Sequence, residues 1–209
     1  MLGMTGSLNG PYYIALQAHA QRYLGRGYAC VSPIGDDSFS VGLHRDERAG
    51  LVSALTLGVP FQPGVMEPVE FACTLQASQE REAYHLARVA ARWFIASGAT
   101  AAFGEWIQSN RPMLPDTGIH GLLFDTDPMV GEAFSVFDGG VRPGGPVDSG
   151  TAHGALRVVV LIPLTAAEIG VLESPGQGRK TLWERWRADG TRLWDVGRDE
   201  RPGTGATAG

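Results

Sequence analysis

Two segments of the chain carry apolar residues at helical spacing, and each of them ends at a glycine. The first begins near Pro11, which suits the first turn of a helix, and stops at Gly25. The second, over 79–97, is predicted to be the longest helix, with Ser78 as its N-cap and Gly98 just past its end. The apolar stripe of this second helix consists of Ala83, Leu86, Ala90, Trp93, Phe94 and Ser97. Both segments are therefore amphipathic, with one face available for a core.

Other segments alternate between apolar and polar residues, which is the two-residue period of a β-strand. The strands predicted in this way span 39–43, 51–57, 70–75, 121–124 and 134–137. A hairpin over 46–50 joins the first two of them. We expect the strand over 51–57 to be central in its sheet, because apolar or small residues occupy both of its faces.

The segment 156–164 contains the longest apolar run, and its β-branched residues predict a strand that is buried on both faces. Thr165 and Glu168 follow at the spacing of a capping box, which predicts that a short helix begins there. A further helix is predicted over 181–188, with at least one of Trp183 and Trp186 in the core. This mixture of helices and strands defines an α+β protein.

Length and composition predict one globular domain over 1–201 and a disordered tail over 202–209. The chain has 209 residues, of which 44% are hydrophobic and 19% are charged, values outside the range of intrinsically disordered proteins. Glycine and proline together make up 29 + 13 = 42 residues, which indicates many loops. The last eight residues are mainly glycine, threonine and alanine and are expected to be disordered.

The net charge of −5 argues against binding to duplex nucleic acid or to an anionic membrane, since both require clustered positive charge. No apolar run reaches the roughly 18 residues of a membrane span, and the N-terminus does not resemble a signal peptide. We therefore expect a cytoplasmic protein whose two cysteines, Cys30 and Cys73, are reduced, with Cys73 in the core.

The sequence lacks the common motifs of phosphate-binding loops, dinucleotide-binding folds, zinc proteases and nucleophile elbows. Its five histidines are His19, His44, His85, His120 and His153, and no two have the close spacing of a zinc pair. We accordingly predict no catalytic residue, no metal and no cofactor. An enzyme with a scattered site is the remaining alternative, and it requires His44, His120 or His153 to meet carboxylates in a deep polar pocket.

Acidic residues are concentrated between Met113 and Leu156. This segment contains Asp116, Asp125, Asp127, Glu132, Asp138 and Asp148, and Arg142 is its one basic residue. Its charge of 1 − 6 = −5 equals that of the whole chain. Aspartate is common in turns for conformational reasons, but such a segment also attracts a basic partner. Trp106, predicted to lie in a loop upstream, is a candidate aromatic anchor for the same partner.

Several motifs resemble those of the Suppressor of fused domain family. The segment 53–59, with Thr56-Leu57-Gly58, resembles the strand ending in Thr-x-Gly that opens the family's domain, and Pro68-Val69-Glu70-Phe71 resembles its next strand. Pro163-Leu164-Thr165-Ala166-Ala167-Glu168 is similar to the family's late Pro-(Ile/Leu)-Thr-x-x-Glu motif, and 182–198 resembles its closing region. Together these motifs cover about 39–198, and they imply a mixed, mostly antiparallel central sheet flanked by helices.

The resemblance implies a protein-binding domain without a catalytic centre, since small bacterial members of the family are thought to neutralise toxins as immunity proteins. We therefore expect a basic toxin domain as partner. The predicted binding residues are Asp116, Asp125, Asp127 and Glu132, with Trp106 as anchor. The alternative within this class is regulation of an endogenous protein by β-strand addition.

Overall fold

A computed structural model of the chain describes residues 11–31, 37–137 and 155–198. Within these residues one sheet contains β1 (Gly27–Val31), β2 (Ser40–Asp46), β3 (Leu51–Leu57), β4 (Val69–Gln76), β5 (Trp106–Gln108), β6 (Ile119–Asp125), β7 (Val136–Phe137) and β8 (Leu156–Thr165). The spatial order is β1-β2-β3-β4-β8-β6-β5, and β7 pairs with the start of β8. The β4–β8 pair is parallel, whereas the other described pairs are antiparallel. The predicted mixed, mostly antiparallel sheet is confirmed.

Helices cover both faces of this sheet. The described helices are α1 (Pro11–Leu24), α2 (Glu80–Ser97), α3 (Glu132–Ser135), α4 (Ala166–Glu173) and α5 (Arg179–Asp189). Helix α2 packs on one face, over β3 and β4. On the opposite face α1 and α3 cover one half of the sheet, and α4 and α5 cover the half at β6 and β8. The core is thus divided into one large cluster under α2 and two smaller ones on the other face.

The surroundings of β8 explain its apolar run, because both of its faces and both of its edges are covered. Val159 and Leu161 belong to the cluster under α2, while Val158 and Val160 contact the cluster under α1. Its edges pair with β4 and with β6. The prediction of a strand buried on both faces is confirmed, as is the central position of β3, all of whose residues are buried.

Several local predictions were wrong. Strands β1 and β5 were not predicted, and the segment 134–137 is divided between α3 and the two-residue β7. Ser78 is not the N-cap of α2, because a short 3₁₀ turn over Ala77–Gln79 leads into the helix and Gln79 takes the N-cap position. The predicted stripe of α2 is buried apart from Ser97 and Trp93, and the Trp93 side chain is 37% exposed. The tail 202–209 and the domain end at 201 lie outside the described residues.

Candidate protein-binding surface

Burial separates the four predicted acidic binding residues into two pairs. Asp116 and Glu132 are exposed, whereas Asp125 and Asp127 are buried. Asp116 lies before the start of β6 and the buried pair lies at and beyond its end, so the strand separates them by about 20 Å at the usual rise per residue. The four residues therefore do not form one patch.

The Asp125 carboxylate holds α5 against the end of β6. Its Oδ2 accepts hydrogen bonds from Arg179 Nε at 2.6 Å and from Trp183 Nε1 at 3.1 Å. Its Oδ1 accepts from Arg179 Nη2 and, at 2.7 Å, from the Thr126 amide. This ion pair raises the pKa of Arg179. Because both oxygens are buried and occupied, Asp125 cannot reach a partner unless α5 moves.

Asp127 closes a turn. Its Oδ1 accepts from the amides of Met129 and Val130 at 2.7 and 3.0 Å, an arrangement typical of aspartate in turns. Burial raises the pKa of this carboxyl. Its Oδ2 has no hydrogen-bond partner among the described residues. Asp127, Thr74 and Trp194 line a cavity of about 10 Å³, which is room for about one water molecule. The burial of Asp125 and Asp127 argues against direct contact of these two predicted binding residues with a partner, and partner binding by Asp116 and Glu132 stays a prediction.

Trp106 lies on β5, an edge strand of the sheet, and not in the predicted loop. Its half-buried side chain packs toward α4 and α5, on the same face of the sheet as its strand partner Leu123. An open cleft of about 330 Å³ lies between β5 and the C-terminal end of α2, and the residues lining it are Trp93, Ala99, Thr100, Glu105, Trp106 and Phe124. Sequence reasoning missed Trp93 and Glu105, although Glu105 directly precedes the predicted anchor.

The Thr56-Leu57-Gly58 motif binds a fully buried carboxylate. Glu70 Oε2 accepts from the Thr56 hydroxyl at 2.6 Å, and Oε1 accepts from the Gly58 amide at 2.5 Å and from the Tyr12 hydroxyl at 2.8 Å. Burial raises the pKa of Glu70 from 4.5 to about 7, against the effect of these donors, and it also raises the pKa of Tyr12. Glu70 thereby connects α1, β3 and β4, which is an internal role.

The Thr165-to-Glu168 motif is also internal. The predicted capping box is confirmed: the Glu168 amide donates to Thr165 Oγ1 at 3.3 Å, and Glu168 Oε2 accepts from the Thr165 amide at 2.7 Å. The same carboxylate accepts from Trp186 Nε1 at 2.6 Å and from Arg198 Nη2 at 2.9 Å. Glu168 thus joins α4, α5 and the segment that follows α5.

The histidines named for a scattered active site do not meet. His44 lies on β2 and His120 on β6, four strand spacings away, which corresponds to about 19 Å. Burial lowers the pKa of His44 to about 4, so this ring is neutral at pH 7. His153 lies outside the described residues. Within those residues, no helix is long and apolar enough to cross a membrane.

These features define an α+β domain in which one mixed sheet is covered by helices on both faces, with internal hydrogen bonds to the buried carboxyl groups of Glu70 and Asp125. Its fold is similar to that of a solved structure, the crystal structure of a putative SUFU (suppressor of fused protein) homolog from Neisseria gonorrhoeae FA 1090. The TM-score is 0.65 and the sequence identity is 15%, with 90% of this chain and 95% of that chain covered. No family model matches the sequence, and no curated protein matches it. The chain therefore has a Suppressor-of-fused-like fold.

Proposed function

We propose that this chain is a non-catalytic protein-binding domain that acts as an immunity protein and neutralises a cognate toxin by direct binding. The observation that carries the proposal is the exposure of three carboxylates, those of Glu105, Asp116 and Glu132, none of which forms an ion pair within the described residues. Asp116 precedes β6, whereas the other two lie near the end of that strand, so they do not form a single patch. A toxin that attacks nucleic acid needs a basic surface, and these carboxylates complement such a surface. The Suppressor-of-fused-like fold supports the same class, because small bacterial proteins that this chain resembles are thought to be immunity proteins.

The test is capture of the partner and measurement of its affinity. The tagged full chain is used to capture proteins from a lysate of the source cells, and the captured protein is then expressed alone and together with this chain. We expect the partner to be basic, to stop growth when it is expressed alone, and to be harmless in co-expression. A captured partner that does not affect growth would refute toxin neutralisation and leave protein binding standing. If no stoichiometric partner is captured from cells shown to express the genes that neighbour the gene of this chain, the protein-binding proposal itself is refuted.

Charge reversal tests whether the exposed carboxylates contribute. The double variant Asp116→Lys/Glu132→Lys should weaken partner binding at least tenfold at low salt and by less at high salt, because salt screens exposed charges. Glu173→Lys/Asp189→Lys is the matched control, since it also reverses two exposed carboxylates, at the ends of α4 and α5. Equal affinities for the double variant and the control would exclude these two carboxylates from the interface.

Binding by β-strand addition is the second candidate, and an open sheet edge favours it. Strand β1 has five residues and no neighbour on its outer side in the described part of the chain. Of two adjacent strand residues, one directs its N–H toward the neighbour in the sheet and the other outward. Ala29→Pro and Cys30→Pro, made separately, should therefore give one variant that still folds and no longer binds a strand-adding partner. If the variant that folds binds the partner normally, this mode of binding is excluded.

A further inference from the structure

A small cavity lies on the face of the sheet that carries α1, α3, α4 and α5. Val160, which lines it, belongs to the cluster under α1, whereas Ile162 and Leu193, which also line it, belong to the cluster under α4 and α5. The cavity therefore lies at the boundary between these two apolar clusters. Its volume of about 10 Å³ is close to the smallest that holds one water molecule.

Three polar side chains line this cavity, and its other lining residues are apolar. Thr74 belongs to β4, Asp127 lies two residues past the end of β6, and Trp194 lies in the segment that follows α5. A cavity with only apolar walls stays dry, whereas a buried water molecule is held by two to four polar groups. The lining of this cavity offers that number of groups, from three separate segments of the chain.

The Asp127 carboxylate has one oxygen that lacks a donor. Its Oδ1 accepts from the amides of Met129 and Val130, whereas its Oδ2 is buried and has no hydrogen-bond partner among the described residues. No ion pair in the described part of the chain includes this carboxylate. A buried carboxylate oxygen without a donor is costly. Because Oδ1 is occupied within the turn, Oδ2 is the oxygen that remains for a donor in the cavity.

The Thr74 hydroxyl supplies a complementary group. Thr74 Oγ1 and Ser53 Oγ are 2.8 Å apart, and either of them can donate to the other. Two hydroxyls that share one hydrogen bond use one of their two protons, so one O–H of the pair needs another acceptor. When Ser53 donates, this O–H belongs to Thr74, which is the member of the pair that lines the cavity. A water molecule is the smallest group that accepts such a proton and also donates one to a carboxylate.

We propose that this cavity is a binding site for one water molecule, which donates a hydrogen bond to Asp127 Oδ2 and accepts one from Thr74 Oγ1. The indole N–H of Trp194 is a third polar group at the same site. The water satisfies the buried carboxylate and connects the turn after β6 with β4. This inference goes beyond the proposed function, because it concerns the interior of the domain and holds whether or not a toxin is bound.

A crystal structure of the full chain, at a resolution that shows ordered water, tests the site directly. We expect one water within about 3.2 Å of both Asp127 Oδ2 and Thr74 Oγ1. Thr74→Val keeps the shape of the side chain and removes its hydroxyl, so the water should be lost or displaced, whereas Thr74→Ser should retain it. An empty cavity in the wild-type chain, or an Oδ2 that accepts from a protein donor instead, would overturn the proposal.

A double-mutant cycle tests the same site in solution by urea unfolding. Asp127→Ser removes Oδ2 and leaves a hydroxyl oxygen that can still accept from the turn amides. Because the water links the two residues, Thr74→Val and Asp127→Ser together should change the unfolding equilibrium constant about fivefold less than the product of their separate effects. Ser53→Ala is the matched control, since Ser53 does not line the cavity, and its effect should multiply with that of Asp127→Ser. Multiplicative effects in both cycles would refute a shared water molecule.

Discussion

Replacement of the buried Glu70 by glutamine should remove a pH dependence from the stability of the fold. Glu70 is completely buried and accepts hydrogen bonds from Tyr12, Thr56 and Gly58. When this carboxyl is protonated, its O–H can donate to the Thr56 hydroxyl oxygen. The glutamine side chain has nearly the same shape and no charge, with an acceptor oxygen and an NH2 group that can donate at the position of the carboxyl O–H, so Glu70→Gln imitates the protonated form.

The magnitude follows from the pKa of the folded state. Burial raises the pKa of Glu70 from 4.5 to about 7, so the folded state holds this proton in a pH range in which the unfolded chain has released it. The contribution of this group to the free energy of unfolding therefore falls as the pH rises from 4.5 to 7. At about 1.4 kcal/mol per pH unit the full loss is about 3 kcal/mol, and about 2 kcal/mol of it falls between pH 5 and pH 7.

Urea unfolding at pH 5, 6, 7 and 8 measures this effect. The free energy of unfolding of wild type minus that of Glu70→Gln should become more negative by about 2 kcal/mol between pH 5 and pH 7 and should then level off. Because all other groups are common to both chains, this difference isolates Glu70. Glu132→Gln, an exposed change, is the control and should run parallel to wild type. A constant difference between wild type and Glu70→Gln over this range would refute a raised pKa at Glu70.

Three further predictions concern the free energy of unfolding, measured with urea. Gly58→Ala should lower it by about 1–3 kcal/mol, because Gly58 has a φ of 107° and an added Cβ would lie 3.1 Å from the Tyr13 hydroxyl. Gly64 also has a positive φ, but an added Cβ there would have no neighbour within 4 Å, so Gly64→Ala should lower the free energy of unfolding by less. Thr165→Ala should lower it by about 1 kcal/mol through loss of the N-cap, whereas Thr165→Ser should restore most of that; equal losses for both would contradict the capping role. Asp125→Asn should lower it by about 1–2 kcal/mol, since Arg179 is partly exposed and loses only part of its interaction, and the folded variant should bind the partner normally. Weaker partner binding by folded Asp125→Asn would indicate that Asp125 does contribute to the interface.

The sequence predicted those elements of the fold whose periodicity is long and whose ends carry a chemical signal. The α2 pattern runs for 18 residues and ends at Gly98, whose φ of 60° is the left-handed conformation expected there. The capping box marked the start of α4 exactly where the helix begins. In contrast, β1 and β5 have five and three residues and depend on pairing with β2 and β6. Such short strands depend on their neighbours in the sheet, and the three residues of β5 are too few to display a period.

The candidate surface could be predicted only in part, because the exposure of a side chain, like the position of a short strand, is determined by the whole fold. A count of acidic residues does not separate carboxylates that face solvent from those that are neutralised inside. Asp125 was indistinguishable from Asp116 in sequence, because its partner Arg179 is 54 residues away. Trp93 lay on the apolar stripe of α2, yet it is 37% exposed, whereas its neighbour Phe94 is buried. The periodicity of a helix does not show how far each side chain of its stripe is covered, which depends on the elements packed against it.

The residues that carry the family resemblance and the residues proposed to bind a partner are different sets. Thr56 and Gly58 donate hydrogen bonds to Glu70, and Thr165 and Glu168 form hydrogen bonds with each other, so these motif residues act within the fold. Substitution at these positions should change stability, and selection for the fold is sufficient to explain the motifs. The exposed carboxylates proposed to contact the partner, those of Glu105, Asp116 and Glu132, lie outside both motifs. A chain can therefore keep this fold while changing its partner, and specificity must be sought at positions such as Glu105 that the motifs do not include.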